Sequence, residues 1–462
     1  MPPSTLSIII PTYNRARLLE ETLTYLAAQT AAARCEVIVA DDGSTDDTAR
    51  VVRSYESRLR IVHAWKERAP GARWNAARPR NQGLARVSSD AVTFLDCGML
   101  VAPDFVEAVL RSVGDPRGVL LHPILGASAT EDDLRQLGSL SPETLAQVLR
   151  GLQHSPAWRD GRDNLFLHVD DEPDLLPASW TLGWGAALTV STALAREVGG
   201  YDAAFDGWGA EDQDFAYRLR RAGASFRIAR DAPTLHLPHP TVPSQEHRAT
   251  MRVNRRKVHQ RHYSFETELY PLYPGRYYNQ VLARWSHFVP GDVLPHYGDE
   301  VARQVLRMTE GLERSLLVGS DQLSLIELLN PSDVFVTSER AARQLRRPPA
   351  RRSVHHLLGC DTPFADGTFD VAVVTDFIRV LYGRVLEAFC GEVNRIARRT
   401  LVIFTPEFVS RLHSYDGLPW ASVEQVSEMA KKVGADWACA EALDGHELFW
   451  MSRPSAGGAS AR

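Results

Sequence analysis

Short apolar segments that alternate with helix-like segments are the feature of this sequence that most restricts its fold. Four apolar runs of strand length occur in the first hundred residues, at 6–10, 36–40, 60–64 and 91–95. Continuous apolar runs of this length indicate strands buried on both faces of a parallel sheet. The alternation predicts an α/β fold, whose ligands bind where the strands end. Asp41, Asp42 and Asp96, which directly follow two of these runs, are therefore expected at a binding site.

A second series of alternating segments begins after residue 300. Its strands are predicted at residues 315–318, 333–337, 354–358, 369–375 and 401–405. The intervening chain is less regular, with acidic and Pro-containing stretches and then a segment rich in Pro and Tyr. We predict an N-terminal domain over residues 1–265, a connector over 266–300, a second α/β domain over 301–452 and a disordered tail over 453–462.

Composition excludes several classes of protein. The 462 residues are 44% hydrophobic and carry a formal net charge of −5, as in a folded globular protein. Nucleic acid is not expected as a partner, because nucleic-acid-binding domains usually show a basic excess. The five cysteines form no CxxC pair, which argues against a disulfide framework and a thiolate zinc site. Neither a signal peptide nor a membrane-spanning run is recognisable, so we expect a cytoplasmic protein without a membrane span.

Five motifs of the N-terminal part occur in the order found in family 2 glycosyltransferases. They lie at residues 7–15 (SIIIPTYNR), 36–44 (EVIVADDGS), 80–85 (RNQGLA), 94–98 (FLDCG) and 207–215 (GWGAEDQDF). About the first 265 residues therefore resemble this family. The last motif is similar to the GWGxED element of bacterial chondroitin polymerases and of galactosyl- and N-acetylgalactosaminyltransferases.

This resemblance implies a GT-A fold and a transferase reaction. The expected donor is a uridine diphosphate (UDP) sugar, from which a hexose or N-acetylhexosamine passes with inversion to an acceptor hydroxyl or another nucleophile. The acceptor is left open among a carbohydrate, a natural product and a peptide side chain. A non-catalytic sugar-nucleotide-binding protein is the alternative from another functional class.

The resemblance and the residue chemistry together give a set of donor-binding residues. Tyr13 can stack on a base, and Asp42 can accept the imide N–H of uracil; a helix cap shared with Ser44 is the alternative role of Asp42. Arg80 is expected to pair with phosphate, and Trp208 offers an apolar face to the sugar ring. The full set is Pro11, Thr12, Tyr13, Asp42, Arg80, Asn81, Asp96 and Trp208.

Two adjacent acids are the expected catalytic residues. The glycines at 207 and 209 let the backbone approach a sugar closely. By resemblance, Asp212 is the base that removes the acceptor proton, and Glu211 is its positioning partner. The alternative is an acidic pair that only favours the start of a helix.

A divalent cation, Mn²⁺ or Mg²⁺, is the expected cofactor. Asp96 stands where the family carries the first Asp of its DxD motif, and such carboxylates hold a cation that bridges the donor phosphates. The second Asp of the motif is replaced by Gly98. His236 and His239 are candidate ligands, and imidazole suits Mn²⁺ better than Mg²⁺. Capping of a Pro-rich turn is their alternative role.

Residues 301–452 resemble a class I methyltransferase-type Rossmann domain. The similarity rests on residues 362–376 (TPFADGTFDVAVVTD) and the strand at 401–404. Only one glycine, Gly319, follows the first strand, where the carboxypropyl group of S-adenosylmethionine needs several. We expect a degenerate domain without catalytic function that serves acceptor binding or a homodimer. A bifunctional glycosyltransferase and methyltransferase is the alternative.

Overall fold

The computed structural model describes residues 5–453 except 70, 72–74, 139, 154, 240–244, 274, 348–351, 407–419 and 444. The chain divides into two compact units, Met1–Val258 and His259–Arg462, and each contains a seven-stranded sheet. Within the described ranges, every helix is too short or too polar to cross a membrane. The predicted disordered tail lies almost wholly outside the described residues.

The first unit contains ten strands and the helices that separate them. The strands are β1 (Leu6–Thr12), β2 (Cys35–Asp41), β3 (Ile61–Trp65), β4 (Ala91–Leu95), β5 (Met99–Val101), β6 (Gly118–Leu121), β7 (Ile124–Leu125), β8 (Ala187–Ser191), β9 (Ser225–Ile228) and β10 (Thr234–His236). The helices are α1 (Ala16–Ala27), α2 (Thr48–Ser54), α3 (Ala77–Leu84), α4 (Phe105–Ser112), α5 (Glu131–Gln136), α6 (Pro142–Leu152), α7 (Asp163–His168), α8 (Thr192–Glu197), α9 (Glu211–Arg221) and α10 (Gln245–His262), the last of which continues past residue 258.

Parallel pairing brings the ends of the first four strands together. The large sheet has the order β3-β2-β1-β4-β8-β6-β9. β1 pairs in parallel with β2 from Leu6–Cys35 to Thr12–Asp41 and with β4 from Leu6–Ala91 to Ile9–Phe94. The carboxyl ends of these strands therefore form one edge. The predicted α/β fold with parallel strands is confirmed.

The first strand is longer than the apolar run at residues 6–10 indicated. Pro11 does not end it, and β1 continues through Pro11 to Thr12. The ladder between β1 and β4 stops at Ile9–Phe94, so beyond that point only β2 flanks the strand. A proline lacks the N–H that a fully paired central strand uses, and a strand flanked on one side tolerates it.

A small three-stranded sheet places the histidine segment beside the turn that follows the fourth strand. Its order is β5-β10-β7, and β10 pairs antiparallel with β5 so that His236 faces Met99. The N–H of Leu237 then donates to the carbonyl of Gly98 at 2.9 Å. Residues 236–239 are thereby held against the turn that follows Asp96.

The second unit is also an α/β structure. Its strands are β11 (Ser315–Val318), β12 (Asp333–Val336), β13 (Ser353–His356), β14 (Phe369–Val374), β15 (Ala397–Phe404), β16 (Asp436–Leu443) and β17 (His446–Ser452). Its helices are α11 (Phe265–Glu268), α12 (Gly275–Ser286), α13 (Pro290–Val293), α14 (Asp299–Met308), α15 (Leu323–Leu329), α16 (Glu339–Leu345), α17 (Gly383–Ile396) and α18 (Val423–Lys432).

The strands of this second sheet lie in the order β13-β12-β11-β14-β15-β17-β16. The five strands predicted from sequence are present and parallel, whereas β17 runs antiparallel to both of its neighbours. Strand order reverses between β11 and β14, where ligands of such sheets bind. Residues 266–300, predicted to be a connector, contribute three short helices to this unit.

Helix α3 packs so closely on the first sheet that its glycine has no room for a methyl group. A Cβ at Gly83 would lie 2.5 Å from Cγ2 of Ile9, whereas one at Gly151 in α6 would meet nothing within 4 Å. We expect Gly83→Ala to destabilise the protein by about 1–3 kcal/mol through overpacking. Gly151→Ala should stabilise it by about 0.5–1 kcal/mol through helix propensity. Calorimetric melting of both variants checks this, and equal melting temperatures would contradict the packing of α3.

Candidate active site

Two loops at the carboxyl ends of β1 and β2 are tied together by hydrogen bonds. The backbone N–H of Asn14 donates to Oγ of Ser44 at 2.9 Å, and the N–H of Thr45 donates to Oδ1 of Asn14 at 2.8 Å. The N–H of Asp42 donates to the carbonyl of Thr12 at 3.0 Å. The motifs at residues 7–15 and 36–44 therefore form one preorganised surface, with Pro11 and Thr12 buried beneath it.

Arg68 contacts both residues that were predicted to bind the base. Its Nε and Nη2 donate to one carboxylate oxygen of Asp42 at 2.9 and 2.7 Å. Its guanidinium carbon lies 3.8 Å from the centre of the Tyr13 ring. A flat group that donates N–H to Asp42 and stacks on Tyr13 thus fits this position. Sequence reasoning missed Arg68, for which the only signal was a basic residue shortly after the third strand.

The alternative role of Asp42 as a helix cap is not supported. Helix α2 begins at Thr48 and its N-cap position is Asp47, so the helix starts later than the sequence indicated. The N–H of Ser44 is instead held by Asp41, whose Oδ1 accepts it at 2.7 Å. The Asp42 carboxylate therefore serves no helix end.

A buried arginine joins two of the predicted acidic residues. Arg80, on α3, is 3% exposed. Its Nη2 donates to Asp96 at 3.0 Å and its Nη1 donates to Glu211 at 3.1 Å. Burial opposes the charged form, but the charges of Asp96 and Glu211 outweigh it and raise the pKa of Arg80 above its ordinary value. Arg80 therefore remains a cation among carboxylates.

Asp212 carries a carboxyl group suited to accept a proton near neutral pH. Its Oδ2 accepts the N–H of Gly185 at 3.2 Å and its Oδ1 accepts the N–H of Gln213 at 2.9 Å. Burial, and then the charge of Glu211, raise the pKa of Asp212 from about 3.8 to about 7. A general base is most effective when its pKa lies near the working pH.

Four buried polar atoms in this region have no hydrogen-bond partner among the residues that the structure describes. They are Nε of Arg80, the hydroxyl of Tyr201, Oε2 of Glu211 and Nδ1 of His236. Buried polar groups are normally paired, and exceptions require an explanation such as a ligand or a catalytic role. Their concentration around the acids favours a functional site over the alternative that the acids only start helix α9.

The GWGAED segment is shaped by its glycines and held by helix α10. Gly207 and Gly209 have φ angles of +72° and +94°, which other residues rarely adopt, and a Cβ on either would collide with α10. Nδ2 of Asn254 donates to the carbonyls of Asp206 and Gly209 at 3.1 and 2.9 Å. Trp208 is left 49% exposed, so its ring is available to a sugar.

Asn81 was predicted to lie beside the donor, and both ends of its amide bind backbone. Its Nδ2 donates to the carbonyl of Tyr201 at 2.6 Å, and its Oδ1 accepts the N–H of Tyr201 at 2.7 Å. Asn81 therefore fixes Tyr201, whose ring lies beneath the Arg80 guanidinium at 5.0 Å. A direct contact of Asn81 with the donor stays a prediction.

The predicted metal ligands lie in one region without forming a closed site. The rings of His236 and His239 are 5.0 Å apart, and Asp96 acts electrostatically on both. Among the described residues, no three acidic, His or Cys side chains are arranged to hold a metal ion. Burial lowers the pKa of each imidazole, with His239 adding to the effect on His236. Two neutral imidazoles, one with an unpartnered Nδ1, and a carboxylate suit a divalent cation that takes further ligands from the donor.

The backbone explains the missing second aspartate. Gly98 has a φ angle of +99°, which side-chain-bearing residues rarely adopt. An aspartate at this position would be strained. The conformation of the turn after β4 favours glycine at residue 98, which accounts for the departure from the DxD motif.

The two tryptophans before Gly185 differ in their environment. Trp180 is fully buried in the core. Trp184 is partly exposed, and the Arg162 guanidinium lies 4.7 Å from its ring centre. Arg162 is itself buried and paired with Asp160 at 2.6 Å. Only Trp184 can therefore contact an acceptor, and the buried ion pair that supports it was not foreseen from the sequence.

Comparison with known proteins identifies the first unit. Residues 7–157 match the glycosyl transferase family 2 model, and residues 177–240 match that of the N-terminal domain of galactosyltransferase. A validoxylamine A glucosyltransferase of Streptomyces hygroscopicus subsp. jinggangensis is 32% identical over 413 residues, which are 85% of this chain and 95% of the relative. The chain belongs to the family 2 glycosyltransferases. It is a transferase enzyme, and the GT-A fold expected from the motifs is confirmed.

The predicted similarity to chondroitin polymerases is also confirmed. Chondroitin synthase of Escherichia coli is 31% identical to this glycosyltransferase over 253 residues. The match covers 53% of this chain and 36% of the relative. Only part of that longer protein is therefore represented here.

The second unit has a cavity of about 350 Å³ at the end of β11. Asp292, His296 and Asp321 are titratable side chains among the described residues that line it. Burial, and then the charge of Asp292, raise the pKa of Asp321. Phe377 also packs directly on Gly319, the single glycine of the loop.

The raised pKa of Asp212 predicts a cost in stability that a neutral substitute removes. The folded state keeps the Asp212 proton up to about pH 7, whereas the unfolded chain loses it near pH 4. Stability at this site therefore falls as pH rises from about 4 to 7. Relative to wild type, Asp212→Asn should therefore gain stability progressively over that window. Melting curves from pH 4 to 8 check this, and a constant difference would contradict the raised pKa.

Proposed function

We propose that this glycosyltransferase transfers a hexose or N-acetylhexosamine from a UDP-sugar to an acceptor nucleophile with inversion. The observation that carries the proposal is the Asp212 carboxyl, which has a pKa near neutrality and lies in a segment that also exposes Trp208. A base in reach of a sugar-binding ring is what attack by an acceptor hydroxyl requires.

The base-binding surface supports a uridine nucleotide. Arg68 satisfies Asp42 and covers Tyr13, so the bound base has to replace its guanidinium. A replacement must donate an N–H to Asp42, since an unpaired buried carboxylate is costly. The imide of uracil provides that N–H, whereas the corresponding ring nitrogen of cytosine does not. Pro11 and Thr12 would shape the floor of this pocket.

The transfer step follows from the acidic pair. The acceptor oxygen attacks the anomeric carbon of the donor, and a new glycosidic bond forms on the face opposite the leaving diphosphate. The bond from the anomeric carbon to the phosphate oxygen breaks, and its electron pair leaves with UDP. Asp212 takes the acceptor proton, and Glu211, held by Arg80, keeps it oriented. The acceptor proton therefore ends on a group whose pKa matches neutral pH.

Asp96, His236 and His239 would hold a divalent cation of Mn²⁺ or Mg²⁺ type. Such an ion neutralises charge on the departing diphosphate. The chain's own part is to keep both imidazoles neutral by burial and to orient Asp96 through Arg80. The imidazoles favour Mn²⁺ over Mg²⁺.

The relative covering most of both chains guides the choice of substrates. It is named for glucosyl transfer and for validoxylamine A. We therefore propose UDP-glucose as the first donor to test and validoxylamine A as the first acceptor. The second unit serves as a scaffold in this proposal, and the packing of Phe377 on Gly319, the single glycine of the loop, argues against the bifunctional alternative.

A donor screen tests the proposal directly. Release of UDP from UDP-glucose, UDP-galactose and their N-acetylated counterparts is measured with Mn²⁺, Mg²⁺ or chelator, each with and without validoxylamine A. We expect release from at least one UDP-sugar, strongest with Mn²⁺. Release from a GDP- or dTDP-sugar alone would refute the uridine assignment.

Replacing the base separates an enzyme from a sugar-nucleotide-binding protein. Asp212→Asn should reduce turnover by about 10²- to 10⁴-fold, because general-base assistance is lost. UDP affinity, measured by calorimetry, should stay unchanged, since the nucleotide base is assigned to Tyr13 and Asp42 in this proposal. Asp214→Asn is a poor control because Asp214 pairs with Arg218 in the core; Asp132→Asn, at an exposed position of α5, serves instead. Full activity of Asp212→Asn would exclude Asp212 as the base.

Metal dependence should follow the protonation of the histidines. A protonated imidazole cannot bind a cation, and both pKa values lie below the ordinary value of about 6.5. We expect Mn²⁺ affinity to fall on acidification at a lower pH than it would for ordinary imidazole ligands. His236→Ala and His239→Ala are titrated with Mn²⁺ in the presence of UDP. If neither variant weakens Mn²⁺ binding, the histidines are structural.

A further inference from the structure

Arg80 is placed to organise the site rather than to bind the donor. Each of its two terminal nitrogens already donates a hydrogen bond, one to Asp96 and the other to Glu211. The side chain is almost completely enclosed, and Gly185 packs on its guanidinium so tightly that a Cβ there would lie 2.8 Å from the central carbon. To reach the remaining N–H groups, a phosphate would have to enter a closed space beside two carboxylates.

The two carboxylates belong to segments that lie far apart in the sequence. Asp96 follows β4, and Glu211 begins α9 more than a hundred residues later. The planar guanidinium offers nitrogens at a fixed separation, so two bound carboxylates are held at a defined distance. Asp212 is adjacent to Glu211 in the sequence, so the position of the proposed base also depends on the contact between Arg80 and Glu211.

The charges around Arg80 also indicate that this residue organises the acidic side chains of the site. Asp96, Glu211 and Asp212 all act electrostatically on Arg80, which is the cation that contacts two of them. Without it, the buried Glu211 would keep a negative charge with no partner, which is strongly unfavourable. One cation therefore makes the crowding of three acids tolerable.

We propose that Arg80 is a positioning residue that fixes the carboxylate of the cation site, Asp96, relative to the acid pair Glu211–Asp212. This inference rests on the proposed function, because it assigns a role within the transfer reaction. It replaces the expectation that Arg80 pairs with donor phosphate. Small misplacements of reacting groups cost large factors in rate. Loss of the contacts that Arg80 makes with both Asp96 and Glu211, which together form the Arg80 bridge, should therefore lower kcat rather than weaken donor binding.

Arg80→Lys tests this while keeping the charge. A lysine has a single nitrogen and cannot hold both carboxylates in the same geometry. We expect UDP affinity by calorimetry and the KM for UDP-glucose to stay unchanged, and kcat for UDP release to fall by about 100-fold. Arg86→Lys is the matched control, because Arg86 follows the same helix, is exposed, and should behave as wild type.

Two results would overturn the proposal. A loss of UDP affinity of about tenfold or more, with kcat preserved, would make Arg80 a direct ligand of the diphosphate. A kcat that falls only in proportion to the folded fraction, measured by calorimetric melting, would make its role purely structural. If wild-type protein releases UDP from no UDP-sugar, the proposed function fails first and this inference falls with it.

A second set of variants covers the case in which Arg80→Lys does not fold. These are Arg80→Gln, Glu211→Gln and the double variant, which removes both charges of the Arg80–Glu211 pair and leaves Asp96 without its contact to Arg80. Because both single changes break the same set of contacts, we expect the double variant to lose less kcat than the product of the two single losses, with UDP affinity retained. Losses that multiply would show that the two residues act independently and would overturn the proposal.

Discussion

The parallel register of β1, β2 and β4 is the constraint on which the rest of the catalytic unit depends. It brings the ends of three strands to one edge, so that segments far apart in sequence meet there. The loops after β1 and β2 then bind each other through Asn14 and Ser44, and Asp96 emerges beside them from β4. Neither loop could hold a ligand alone, because each supplies only part of the surface.

The second feature of this site is that acidic side chains lie close together in a buried position. Glu211 and Asp212 start a helix, where acids are locally favourable. Their depth in the protein, however, raises the pKa of Asp212 and leaves one oxygen of Glu211 unpartnered. The protein stabilises this arrangement with one buried cation, Arg80, instead of neutral substitutes. In the proposed function, this cost in stability provides a base that works near neutral pH.

In the proposed function, Arg68 holds the position that the nucleotide base would take. A guanidinium and a pyrimidine are both flat, both stack on an aromatic ring, and both donate N–H groups to a carboxylate. Arg68 pairs with Asp42 and lies over the ring of Tyr13. A base that replaces it has to supply the same contacts, which would make the site selective.

The sequence alone determined much of this architecture. Strand-length apolar runs that alternate with helix-like segments indicated both α/β units, since continuous runs such as residues 36–40 are typical of strands buried in a parallel sheet. The order of the five motifs indicated the family, and the segment GWGAED identified Glu211 and Asp212 as the candidate acidic pair. The sequence misjudged details where local pattern and tertiary context differ, as at Pro11, which a one-sided strand accommodates.

Only the tertiary structure decided how the residues act on one another. No local pattern could show that Arg80 faces Asp96 and Glu211, that Arg68 covers Tyr13, or that Trp180 is buried whereas Trp184 is not. These relations depend on side chains that meet across helices and strands distant in the chain. The physical reason is that a pKa, an ion pair or a stacking contact is set by neighbours in space, whereas a sequence records only neighbours along the chain.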